Sequence, residues 1–236
     1  MTRPFPILAL TVLITAIVFA ISPWLSEGFA GFSPAQFPVQ QDFWPVQPAG
    51  WTFSIWGVIY AWLIFGAAWG LINAPHDPKW KSMRQLLLIN LGIGAFWVTA
   101  ANASPVLATF MIVAMAVLAT AAMLRAGLRN PAWQVRPVAL YAGWLTAATG
   151  VGTGVVLSGY GILQPQASAM VMLSCVLIVA LYVQSRRRQE WAYPVAVIWA
   201  LCGVIASNMP SLNWPVIALA VLGILALTYR TLKGWS

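Results

Sequence analysis

Six aromatic side chains fall at positions that could line a pocket for a flat ligand. Trp56 and Tyr60 stand one helical turn apart, with Phe53 on the same side. Tyr141 and Trp144 repeat a one-turn spacing further along, and Trp97 falls in the outer third of another apolar segment. Trp62 and Trp199 come near the middle of theirs. Large rings with one polar tip offer a flat apolar ligand stacking area and a hydrogen-bond handle. The same rings would also serve in packing or lipid contact, and spacing alone leaves both uses open.

Residues for bond-breaking chemistry are missing at useful spacing. There is no Ser/His/Asp set, no pair of facing carboxylates and no HExxH. His76 and Asp77 are neighbours in PHDPKW, where a solvated loop pair is the plainer reading. Cys175 and Cys202 lie within separate apolar segments, with no CxxC and no metal spacing, so they read as packing residues. No acid or base lies inside an apolar segment, which argues against a pump or proton-coupled carrier. The expectation is a protein that is not an enzyme and carries no metal.

The elements that must hold these rings are membrane helices. The 236 residues are 61% hydrophobic and 7% charged, against roughly 25% charged in an ordinary soluble domain. Apolar runs cover about 7–24, 51–72, 85–103, 106–124, 138–157, 167–183, 193–207 and 214–229. Most approach the ~20 residues that a helix needs to cross a bilayer, and the last two are short. Arg3 before an apolar stretch also fits a secretory signal, but the run is read as a true first helix. The fold class predicted is all-α, a polytopic bundle of eight transmembrane helices.

The net charge of +8 does not point to nucleic acid, because the charges sit in short loops between the runs. With eight helices, all 12 Lys and Arg fall on one side. The positive-inside rule then puts both termini in the cytoplasm of a bacterial inner membrane. Residues 25–50 and the turns near 104, 162 and 210 would face the periplasm. Trp80, Trp133, Trp191 and Trp235 beside the basic loops, and Trp24, Trp44, Trp51 and Trp214 at the other face, read as two aromatic belts.

Residues 25–50 hold four prolines, aromatic rings and two acids, Glu27 and Asp42, and are predicted to fold over the outer end of the bundle. Ala139, Gly143, Ala147, Gly150, Gly154 and Ser158 form a small-residue stripe, and Gly66 and Gly70 have GxxxG spacing. Both mark close helix contacts. The string GVGTGV within the stripe lacks a dinucleotide loop's spacing and its preceding strand.

The segment from Trp44 through Pro48, Trp51, Phe53 and Trp56 to Tyr60 resembles the signature of the TspO/MBR family, the tryptophan-rich sensory or translocator proteins. The stretch Pro137-Val-Ala-Leu-Tyr141-Ala-Gly-Trp144 is similar to that family's helix-five motif. This sequence departs from the pattern in a Phe53–Trp56 spacing one residue shorter, in separated prolines, in Gly152 where an asparagine is usual, and in lacking the helix-four acid. The resemblance implies a five-helix bundle over residues 1–160, followed by three additional helices in 161–236. It also implies an outer pocket capped by the first loop, with Trp44, Trp51, Trp56, Tyr60, Trp97, Tyr141 and Trp144 as ligand-binding candidates. The ligand would be a porphyrin or another apolar small molecule.

The function expected is therefore binding of an apolar, tetrapyrrole-type ligand in a sensory, regulatory or carrier role. The alternative is a structural accessory subunit of a larger membrane complex, photosynthetic or respiratory, with the aromatic faces against other membrane-protein subunits. A secondary transporter would need intramembrane charge or a repeat of two halves, and the sequence has neither.

Overall fold

The computed structural model describes residues 5–26, 28–29 and 31–234. Arg3, Glu27 and Trp235 lie outside the described residues. The helices are α1 (Ile7–Leu25), α2 (Ile55–Asn73), α3 (Pro78–Ala103), α4 (Pro105–Arg125), α5 (Val135–Gly159), α6 (Pro165–Arg186), α7 (Ala192–Asn208) and α8 (Trp214–Lys233). Seven are long and apolar enough to cross a membrane, α2 together with the turn before it; α7 is a shorter apolar helix of 17 residues. The chain is an integral membrane protein, as composition and run length predict.

Prolines and polar caps set the helix starts. α3, α4, α6 and α8 carry proline in their first turn, where its missing N–H costs nothing. Asp77 caps α3, accepting from the N–H groups of Lys79 (2.8 Å) and Trp80 (3.1 Å). That capping role accounts for the acid of the PHDPKW string. Ser104 ends α3 and caps α4 in one residue, so the two helices turn back on each other directly.

α5 is the centre of the bundle. It packs against α2, α4, α6 and α7; α1 lies on α2 and α3, and α8 lies on α6 and α7. The small-residue stripe makes these contacts possible. A Cβ on Gly143 would collide with the Tyr193 carbonyl of α7, and one on Gly150 with Val176 of α6. Gly154 faces Val46 of the first loop. The GxxxG pair serves differently: Gly66 sits against the Trp133 backbone and Gly70 against the Trp80 ring.

The described basic residues gather at one end of the bundle. Arg84 donates from Nη1 to the carbonyls of Ala74 and Pro75, and Arg187 from Nη2 to those of Leu124 and Ala126. Lys79 packs near Gly127, and the Arg188 carbonyl near Gly234. Glu190, buried between α6 and α7, accepts from the Ala192 N–H at 3.0 Å. Burial pushes its carboxyl above the usual range, against the pull of that N–H, Arg136 and Arg187.

Three sequence expectations need correction here. The first concerns Cys175 and Cys202, which are exposed on their helices rather than packed inside. α3 starts seven residues before the apolar run, so Arg84 belongs to a helix and is only 2% exposed. Its guanidinium satisfies the Ala74 and Pro75 carbonyls just past the end of α2 and lies over the Trp80 ring at 4.9 Å. Trp80 and Trp44 are buried rather than members of an interfacial belt, Trp80 stacking on Trp69 at 5.7 Å. Trp24, Trp51, Trp133 and Trp214 are exposed, as belt residues should be.

Gly143→Ala should force α5 from α7, because the obstacle is backbone; overpacking of this kind costs about 1–3 kcal/mol. Gly92→Ala meets open space and serves as the control. Thermal melting in detergent should show a clear drop for the first variant and none for the second. Equal melting of both would mean that the α5–α7 contact is not tight.

Candidate functional site

The first loop closes the end of the bundle opposite the basic residues, and hydrogen bonds to main-chain carbonyls hold it there. Gln36 Nε2 donates to the carbonyls of Ala101 (2.9 Å) and Asn102 (3.3 Å) in the last turn of α3. The Val39 N–H donates to the Gly159 carbonyl at the end of α5 (2.9 Å). α7 contributes most: the Ala49 N–H donates to the Gly203 carbonyl, Ser207 Oγ to the Gln47 carbonyl and Asn208 Nδ2 to the Pro45 carbonyl. Ser33 and Gln36 form a capping box within the loop, fixing its 3-10 turn at Pro34–Gln36.

Beneath this lid lie two adjoining cavities. The larger, ≈ 200 Å³, is bounded by Phe19 and Pro23 of α1, Tyr60 of α2 and Met115 of α4. The smaller, ≈ 40 Å³, is bounded by Gln47 of the loop, Thr109 of α4, and Trp144 and Gly152 of α5. Phe29, Phe53, Trp56, Trp97 and Ile112 border both, so one aromatic partition separates the two spaces.

The structure brings four of the seven sequence candidates to these walls. Trp56 stacks on Tyr60 with ring centroids 5.1 Å apart and planes at 19°, and meets Trp144 edge-on at 6.1 Å. Trp97 packs edge-on to Phe29 at 4.8 Å, and its Nε1 donates to the Ala108 carbonyl at 2.9 Å. Trp144 is 3% exposed, and its Nε1 has no partner.

The other three lie elsewhere. Tyr141 is fully buried behind the wall, against Phe19 and Trp56, with its hydroxyl unpaired. Trp44 is buried against Phe37 of the loop. Trp51 is 49% exposed and faces Trp199 of α7 edge-on at 4.9 Å. The turn at Gly50–Ser54 is 3-10 and leads directly into α2, which separates Trp51 from Trp56 around the axis. Trp62 and Trp199 spend their indole N–H groups on the carbonyls of Ala132 and Thr52.

Sequence reasoning missed Phe29, Phe32 and Gln47. They come from a loop without periodicity, and only its aromatic content hinted at them. Gly31 holds φ +118, and a Cβ there would meet the Gln47 side chain, so glycine lets Gln47 lie against the lid. Gln47 Oε1 is buried and unpaired. Trp144, whose Nε1 is a buried donor without a partner, and Gln47, whose Oε1 is a buried acceptor without one, thus both border the smaller, largely apolar cavity.

This arrangement meets an independent likeness. A family model described as TSPO-like protein matches residues 7–231. The chain belongs to the TSPO-like family. The match runs from the start of α1 into α8, so it takes in α6, α7 and α8 as well as the five helices before them. No curated protein and no solved structure matches the chain significantly. Within this TSPO-like chain, the stacked Trp56–Tyr60 pair and Trp144 bring residues of both resembling segments onto one aromatic cluster.

Trp97 and Trp144 are both buried and differ in their N–H groups. Trp97→Phe breaks a hydrogen bond, whereas Trp144→Phe removes a buried donor that has none, a condition worth about 1–3 kcal/mol. Melting of the ligand-free protein in detergent should therefore fall further for Trp97→Phe than for Trp144→Phe. The reverse order would mean that Trp144 Nε1 is bonded.

Proposed function

We propose that this TSPO-like chain binds a flat apolar ligand of the tetrapyrrole type in the aromatic cavity under its first loop. The role is sensing, regulation or carriage rather than catalysis. The observation that carries the reading is that two residues bordering one apolar cavity, Trp144 and Gln47, hold a buried donor and a buried acceptor without partners. Buried polar groups normally have partners, and a ligand offering an acceptor and a donor would supply them. The surrounding rings would add stacking and edge contacts.

The basic end would face the cytoplasm of a bacterial inner membrane, with both termini there. The lid and cavity would then open toward the periplasm. Ligand pockets commonly enclose about 300–1,000 Å³, more than the larger cavity of ≈ 200 Å³. A porphyrin would need the lid to lift, with Phe29 and Phe32 moving away from the partition. The loop's hold on α7 is the natural hinge side, because its bonds there cluster over residues 45–49.

The accessory-subunit reading draws on that same modest volume, since rings that fill their own cavity also suit a purely structural bundle. Porphyrin titration of the purified protein, followed by tryptophan fluorescence, separates the two. Saturable quenching should appear in the wild type and weaken several-fold in Trp56→Phe and Trp144→Phe, as the loss of about 1 kcal/mol per aromatic contact implies. Trp51→Phe should bind as the wild type does. Absence of saturable quenching, with comigration in a large complex, would favour the subunit reading.

A further inference from the structure

α4 and α6 both lean on α5 and leave a cleft between them. Its volume is ≈ 450 Å³, with Val117 and Leu124 of α4 on one wall, Val179 and Tyr182 of α6 on the other, and Thr149 and Gly150 of α5 as the floor. These walls are apolar, and Val117, Val179 and Tyr182 are exposed. The cleft is separate from the aromatic cavity and shares no lining residue with it.

Its length and its mouth both fit one kind of occupant. The α4 wall runs from Val113 to Leu124, about 16 Å at 1.5 Å per residue. One leaflet contributes about half of the ~30 Å hydrocarbon thickness, so the cleft matches the depth of a single leaflet. It ends at the basic end of the bundle. Arg125 follows Leu124 at the end of α4, and Arg186 ends α6 three residues beyond Val183. Both are exposed, as are Arg129 and Arg188.

Arg187 ties the two walls together there through the Leu124 and Ala126 carbonyls, fixing the spacing of the mouth. The nearby acid, Glu190, is buried and turned to the Ala192 N–H. The mouth is therefore strongly positive, while the channel behind it is apolar and open to lipid.

We propose that this cleft is a binding site for an anionic phospholipid of the leaflet at the basic end. One acyl chain lies between α4 and α6, and the phosphate-bearing headgroup meets Arg125 and Arg186. Basic pockets between membrane helices select anionic headgroups in this way. A second copy of the chain would bring its own arginines to the same mouth, and like charge disfavours that occupant.

The test is native mass spectrometry of the full chain, released from bilayers of equal phosphatidylglycerol and phosphatidylcholine. The wild type should retain phosphatidylglycerol preferentially. Each of Arg125→Gln and Arg186→Gln should reduce that preference about fivefold, since one basic residue near the surface is worth about that factor. Lys81→Gln, an exposed basic residue of α3, should leave it unchanged. Ala121→Trp should block the cleft and abolish retention. Soluble glycerol phosphate in excess should not displace the lipid, because it lacks the chain. Equal retention of both lipids by the wild type, displacement by glycerol phosphate, or a lipid-free dimer would each overturn the proposal. The wild-type result decides even if a variant fails to fold.

Discussion

The close approach that α5 permits is the constraint on which the rest of the molecule depends. Within lipid there is no hydrophobic drive between helices, so association rests on packing and short-range contact. Gly143 admits the α7 backbone and Gly150 admits Val176 of α6, while Gly154 leaves room for Val46 of the lid. One helix surface therefore fixes the positions of two neighbouring helices and of the loop above them. Filling it at any of these points would move parts that are distant in sequence.

α7 carries that constraint to the site. Its Tyr193 packs against Gly143 and donates its hydroxyl to Thr146 Oγ1 at 2.9 Å, locking it to α5. Its far end holds the lid through Gly203, Ser207 and Asn208. The loop that roofs the aromatic cavity is thus positioned by a helix more than 140 residues later in the chain. The cavity, the lid and the later helices form one mechanical unit, consistent with a family match that spans all of them.

Much of this was legible from residue types. Helix number follows from apolar runs, the gathering of basic residues from their alternation with those runs, and the role of α5 from its small residues. Helical spacing paired Trp56 with Tyr60 and Tyr141 with Trp144, but it was the family resemblance that grouped them with Trp97; of these, Trp56, Tyr60, Trp97 and Trp144 border the cavities and Tyr141 does not. Trp51 lies five residues before Trp56, a spacing that sets the two on different faces unless the chain bends between them, and the 3-10 turn instead runs straight into α2. Trp44 and Trp80 look like interfacial tryptophans in sequence, yet the folds of the loop and of the α2–α3 turn bury them against Phe37 and Gly70. Arg84 looks like a loop cation until α3 is seen to begin at Pro78. Gln47 carried no local signal: its importance comes from a buried oxygen without a partner, which only the folded chain reveals.

In the proposed function, a bound ligand would supply the hydrogen-bond partner that Trp144 Nε1 lacks within the chain. Indole ¹⁵N–¹H resonances of tryptophan-labelled protein in detergent, followed during porphyrin addition, test it most directly. The Trp144 signal should move downfield and saturate as a new hydrogen bond forms. The Trp97 signal should move far less, because its N–H is already bonded to the Ala108 carbonyl, and those of the exposed Trp24 and Trp214 should stay in place. A stationary Trp144 signal, with movement confined to the exposed tryptophans, would contradict the account.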